Sequence, residues 1–265
     1  EEISSCPESL NSTVNQYGID YYTIDCAGDH TLRFNGSTVV GLLPVSANSG
    51  NYMFWSNRGD ESDMTLTREF DFTGVSGPIS MSFAMWHDLE TDYDYVFFEA
   101  STDGENWEIL TTPSGTAEDP SGNSYGWGWN GQTSGWVTEE VDLSQFAGQT
   151  VQLRFEYVTD AALNGEGLLL DDVRIDAIDY QEDFEADDGG WEAAGFVRVE
   201  NTLPQTYRLT LITKGDTTTV TQIPLNPDQT AEIPLSLNSG EEAVLVVTGT
   251  TRFTRLPAAY ELEIE

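Results

Sequence analysis

Three carboxylates stand at every second position in one stretch of this chain, Glu90, Asp92 and Asp94. On an extended strand, side chains two residues apart leave from the same face, so the spacing predicts a stacked carboxylate face. Like charges stacked this way repel unless a cation bridges them or water separates them. An excess of hard oxygen ligands over imidazoles and thiols selects Ca2+ rather than zinc or copper. Asp60 and Asp63 in the preceding loop, Asp160 before the penultimate strand, and Asp171 or Asp172 join the candidate set if the sheets bring those strand ends together. Asp171 and Asp172 are neighbours on a strand and are expected to face opposite ways, so one of them rather than both should reach a given site. No EF-hand loop is present, and the site would have to be assembled from distant segments. The competing reading is a solvated acidic edge.

Segment 113–135 is rich in Gly and Ser, with Tyr125, Trp127, Trp129 and Trp136 along or beside it. Alternation at 125, 127 and 129 would put three rings on one side of an extended segment, a platform on which sugar rings could stack. The plainer reading is a loop pinned to the sandwich by its own aromatics. Arg58-Gly59-Asp60 matches an integrin-recognition tripeptide, but Asp60 is better used in a turn or at a metal. Gly122-x-Ser124-x-Gly126 fits the outline of a nucleophile elbow yet lies in a glycine-rich loop, where a strand-to-helix turn is needed. His87 follows Trp86 at a strand end and reads as structural. Asn11-Ser-Thr and Asn35-Gly-Ser are glycosylation sequons, without meaning if the protein is bacterial.

The elements that must position these groups are strands. Met64, Leu66, Phe70 and Phe72 alternate with polar neighbours, as do Val151, Leu153, Phe155 and Tyr157, and Ile79, Met81, Phe83 and Met85. The stretch from Tyr93 to Ala100 is apolar on both faces and predicts a central strand. Asp103-Gly104 predicts a tight hairpin turn, and Asn35-Gly36 another between the 32–34 and 39–43 runs. Short strands punctuated by turns predict an all-β fold, an antiparallel sandwich plus a smaller immunoglobulin-like sandwich. The boundaries read as a disulfide-tied β segment at 1–46, open to packing on either domain, the larger sandwich at 47–185 and the second sandwich at 186–265, with the boundary placed in the acidic, Gly-Gly-ending run 183–190.

The 265 residues carry 46 acids against 10 bases, a formal charge of −36, and 30 aromatic residues. That much aromatic surface excludes a disordered acidic tail. The charge repels phosphate backbones and anionic headgroups, so neither nucleic acid nor membrane insertion is expected, and cations are the natural partners. Acidity for solubility alone is the bland alternative. Cys6 and Cys26 are the only cysteines; a disulfide between them would contribute roughly 3 kcal/mol in an oxidising compartment. The longest apolar runs fall far short of the roughly 20 residues needed to span a bilayer. Beginning at Glu1 without Met, the chain reads as a mature or trimmed piece of something longer.

In order along the chain stand Trp55-Ser-Asn-Arg-Gly-Asp60, Phe70-Asp71, the run from Asp88 to Val96, and the run from Ser101 to Trp107. Val141 to Gly148, Leu153-Arg-Phe155, Thr159-Asp160 and Leu170-Asp-Asp-Val173 follow. From roughly Trp55 to Trp191 this resembles the non-catalytic, MAM-like jelly-roll region of the immune inhibitor A family of secreted zinc metallopeptidases. The resemblance implies a jelly roll that holds calcium and accompanies a protease. The family's zinc site needs His-Glu-x-x-His on a helix, whereas His30 and His87 are the only histidines here. The expectation is therefore a non-enzymatic, calcium-stabilised accessory region of a secreted or cell-surface metallopeptidase-like protein, for substrate positioning, stabilisation or attachment. The rival readings are a structural or adhesive assembly subunit and a carbohydrate-binding module. Partners would be a catalytic metallopeptidase domain, further copies of the chain, or extracellular glycan or protein.

Overall fold

The computed structural model describes residues 1–265 and is all-β, with only two short 3-10 turns. Two compact units divide it, residues 46–200 on one hand and residues 1–45 together with 201–265 on the other. The first unit is thus an insertion between two halves of the second.

The inserted unit is a two-sheet sandwich. One sheet runs in the order Glu108–Ile109, Tyr95–Ser101, Thr150–Val158, Asp63–Asp71 and Glu192–Ala194. The other runs Val137–Asp142, Ser80–Asp88, Gly167–Ile175, Tyr52–Trp55 and Val197–Glu200, with Tyr180–Glu182 added against Gly167–Ile175. Neighbours are antiparallel, and the chain changes sheet at nearly every connection, the jelly-roll habit. Alternation works as the sequence leads one to expect. Leu66, Phe70, Val151, Leu153, Phe155, Met81, Phe83 and Met85 turn inward and are buried, while their neighbours face out. Phe155 is at the centre, 4.7 Å from Phe98, 5.0 Å from Phe83 and 5.9 Å from Trp191 between ring centroids.

The second unit is also a sandwich. Its five-stranded sheet runs Glu2–Ile3, Asp20–Ile24, Glu242–Gly249, Tyr207–Lys214 and Thr218–Ile223; its four-stranded sheet runs Glu8–Val14, Ala258–Ile264, Gly28–Gly36 and Thr230–Leu237. Asp20–Ile24 and Gly28–Gly36 each have a strand on both sides. Of the two domains on which the N-terminal segment could pack, it joins the C-terminal one and completes the same core. Cys6 and Cys26 are disulfide-bonded, with Cα atoms 6.1 Å apart.

Two further expectations change. The boundary drawn at 185/186 lies at 200/201 instead, because Glu192 pairs with Thr67 and Val197 with Trp55, while Phe184, Trp191 and Phe196 enter the inserted core. The run 183–190, expected to hold the boundary, is a loop of that unit, in which the Glu185 carboxylate accepts hydrogen bonds from the Asn51 and Tyr52 amides. Asn35-Gly36 is no hairpin turn. Asn35 pairs with both Glu261 and Thr230, so partners on either side keep its strand extended. Asp103-Gly104 does form its turn, with Gly104 at φ +74° and the Asp103 carboxylate accepting the amides of Glu105 and Asn106.

Phe155→Ala should lower the unfolding free energy by about 3–5 kcal/mol, the loss for truncating a fully buried aromatic, and Phe155→Leu by less than half of that. Urea unfolding followed by tryptophan fluorescence measures both.

Candidate metal centre

At one end of the first sheet, Val158 pairs with Tyr95 on one side and Asp63 on the other. Segments 57–62, 89–94 and 159–166 therefore leave the sandwich side by side. The carboxylate oxygens of Glu90, Asp94 and Asp160 converge there, all within 4.8 Å of one another. Residues 91–93 form a turn rather than a strand, and the Asp94 amide donates to the Glu90 carbonyl at 3.1 Å. One turn therefore brings positions 90 and 94 together. Asp92, at φ +69°, is the residue that makes the turn; its carboxylate lies outside the trio, so the expected 90-92-94 face does not exist.

Asp94 is 1% exposed and held from two sides. The Tyr157 hydroxyl donates to Oδ2 at 3.2 Å, and the Asp160 amide donates to Oδ1 at 3.0 Å. Burial raises its pKa above the ordinary carboxylate value, against these hydrogen bonds. Glu90 is raised too, first by burial and then by the charges of Asp160, Asp94 and Asp60. Its Oε2 is buried and accepts no hydrogen bond. The three loops are strained around this point. Asn57, Glu61, Asp92 and Leu163 all have positive φ, four of the ten non-glycine residues that do so, and such strain concentrates where geometry is imposed by a site. Gly165 allows the third loop to close, since a Cβ there would lie 2.1 Å from the Asp88 carbonyl oxygen.

The other candidates are dispersed. Asp60 adds its charge to the edge of the trio while its Oδ1 accepts from Asn164 Nδ2 at 2.6 Å. Asp63 is exposed and starts the Asp63–Asp71 strand. Asp171 and Asp172 lie further down Gly167–Ile175, whose Gly167 is the residue opposite Asp88. Contrary to the strand rule, both address one segment. Ser49 N donates to Asp171 at 3.1 Å, while Asn48 Nδ2 and Ser49 Oγ donate to Asp172 at 2.7 and 2.8 Å. The cause is a bulge between Asp171 and Arg174, with Asp172 at φ +49°. Asp171 has no exposed surface, and burial pushes its pKa up to about 7.

The aromatic loop serves packing. Trp129 is in the core with its ring edge-on to Phe83, Trp127 donates to the Thr112 carbonyl, and Trp136 donates to the Ser46 carbonyl. Tyr125, 67% exposed, stacks on Phe97. The four rings thus face different surroundings and share no platform. His87 is buried with Nδ1 2.9 Å from the Gly131 carbonyl oxygen, and burial lowers its pKa. Arg58 pairs with Glu166 and sits over Trp55.

Residues 32–201 match the family described as "Immune inhibitor A-like, MAM domain". Over 138 residues the chain is 35% identical to the pre-pro-metalloprotease PrtV of Vibrio cholerae, an alignment covering 52% of this chain and 14% of that protein. It is 32% identical over 135 residues to bacillopeptidase F of Bacillus subtilis (49% and 8%), and 32% identical over 127 residues to immune inhibitor A of Bacillus thuringiensis (48% and 17%). The chain therefore spans under a fifth of the length of each of these relatives.

One charged group escaped the sequence reading. On the outer face of the sheet that carries the trio, Arg154 donates to Glu99 at 2.9 Å and to Glu156 at 3.3 Å, and its guanidinium lies 3.9 Å from the Trp107 ring centroid. The cross-strand pairing of Arg154 with Glu99 was the missing information. Burial, then the Glu99 charge, push Glu156 up to about 7. A carboxyl raised in the fold favours folding while it is protonated. Its contribution is therefore lost as pH rises from the ordinary value near 4.5 through about 7. Glu156→Gln should remove about 2 kcal/mol of that decline, read as the difference between wild-type and variant unfolding free energies at pH 5 and pH 8.

Proposed function

This chain belongs to the immune inhibitor A-like MAM domain family, and we propose that it is a non-catalytic, calcium-stabilised accessory region of a secreted or cell-surface metallopeptidase-like protein. The accessory role rests on the family and on the metalloprotease among the relatives. It is supported by the chain's chemistry, since its two histidines, His30 and His87, are far apart in sequence and do not form a His-x-x-x-His pair. The region would hold a substrate, or a neighbouring catalytic domain, in place.

The observation that carries the calcium reading is the buried, unpartnered Oε2 of Glu90, in a carboxylate that converges with those of Asp94 and Asp160. Three carboxylates at such separations cannot all keep their charge without compensation. A hard cation with flexible coordination suits an all-oxygen donor set. Glu90, Asp94 and Asp160 would hold it; the ion would tie the loop 89–94 to the loop 159–166 and steady the sheet end from which both emerge. An ion at 100 times its Kd stabilises the folded state by about 2.7 kcal/mol, which for a unit of this size is about 5–10 °C in Tm.

Chelation with EDTA should lower Tm by about that amount and CaCl2 should restore it. Asp160→Asn should abolish the response to calcium, whereas Asp92→Asn should keep it. An unchanged melt, with no calcium found by elemental analysis, would sink the calcium reading and leave the family assignment standing.

A further inference from the structure

A second convergence of ligand atoms lies in the other unit, away from the carboxylates. The sulfurs of Cys6 and Cys26 and a ring nitrogen of His30 are all within 4.8 Å of one another. Cys6 follows Glu2–Ile3, Cys26 follows Asp20–Ile24, and these two strands are parallel neighbours. His30 is held by the next strand, Gly28–Gly36, opposite Leu235. The fold, rather than sequence spacing, brings the three together.

The imidazole is prepared as a ligand. Its Nδ1 lies 3.3 Å from the main-chain carbonyl oxygen of Glu265. A carbonyl accepts only, so in the neutral ring this contact puts the proton on Nδ1 and the lone pair on Nε2. Metal-ligating histidines are oriented by this same kind of contact at the other nitrogen. Nε2 is buried and has no hydrogen-bond partner. Gly28, at φ +133°, keeps the space beside it open, since a Cβ there would lie 3.2 Å from Nε2. A disulfide has no proton to donate to that lone pair, and its sulfurs are weak ligands. Two thiolates beside Nε2 would complete a donor set that a cation can bridge.

We propose that the reduced chain binds one soft divalent cation, of which Zn2+ is the type, through Cys6 Sγ, Cys26 Sγ and His30 Nε2, so that a metal and the disulfide are alternative closures of one loop. A dithiol reductant delivers two electrons and two protons to the Cys6–Cys26 bond, becoming a cyclic disulfide itself and leaving two thiols. The cation then displaces one proton from each thiol, and both protons pass to solvent. Two sulfurs and one nitrogen are the donor types that select zinc over calcium or magnesium, with a fourth position left for water. Either closure ties the N-terminal residues to the sheet that Asp20–Ile24 enters, so the chain would keep its staple in reducing as well as oxidising surroundings.

Cobalt(II) reports thiolate ligation by colour. The full chain is reduced with a phosphine, which takes its oxygen from water as the disulfide becomes two thiols. The excess is removed without air, and Co2+ is titrated in the presence of Ca2+ to occupy the carboxylates. One Co2+ per chain should bind with thiolate-to-metal charge transfer and the intense visible bands of a tetrahedral site, and Zn2+ should bleach them. The oxidised chain should show none. His30→Ala should weaken Co2+ binding at least about tenfold with its circular dichroism unchanged, and Cys6→Ser with Cys26→Ser should abolish the charge-transfer band. Absence of the band in the reduced chain, equal affinity in His30→Ala, or loss of the fold on reduction would each overturn the proposal.

Discussion

A chain with 46 carboxylates and 10 basic side chains has to find a place for every acid that it buries. Burial of a charge is tolerated only where a counter-charge or converging donors meet it. Glu99 and Glu156 share Arg154, Glu166 takes Arg58, Glu139 accepts from Ser114, and Asp171 accepts the Ser49 and Asp172 amides. Asp94 is met by Tyr157 and by a main-chain amide. Glu90 Oε2 is the exception, a buried oxygen with no donor in a carboxylate that lies against two more. The sheet end, its positive-φ loops and this undonated oxygen make sense together if a metal ion fills that role.

The space between the two sheets is filled by apolar side chains. Phe83, Phe98, Phe155, Trp129 and Trp191 interlock between the sheets. This leaves the sheet ends free to carry charged loops, and two of these loops supply the three converging carboxylates. The long 113–135 segment, unusual in sequence, contributes Trp129 to the same core.

Strand identity was legible because period-two alternation is a direct image of one wet and one dry face. Asp94 drew notice as part of a supposed strand face, and Asp160 as an acid before a strand. What alternation could not reveal was backbone that breaks the strand rule. The turn at 91–93 removes Asp92 from the site and folds Glu90 onto Asp94, and the bulge at Asp172 turns two adjacent carboxylates toward one segment. Both are set by residues with positive φ that are not glycine, for which the sequence carries little signal. Nor could local pattern show that residues 1–45 and 201–265 share one core, since their pairing spans the whole inserted unit. The Gly-Gly run misled for a related reason. Flexible composition is common to linkers and to tight loops, and only the pairing of Glu192 and Val197 distinguishes them here.

The central claim is that one calcium ion joins Glu90, Asp94 and Asp160. Its most direct test is a crystal structure grown in calcium and measured at a wavelength where calcium scatters anomalously. The expected result is a single anomalous peak within about 2.3–2.6 Å of oxygens from all three side chains. Ordered water alone at that position, with the three carboxylates splayed apart, would contradict it.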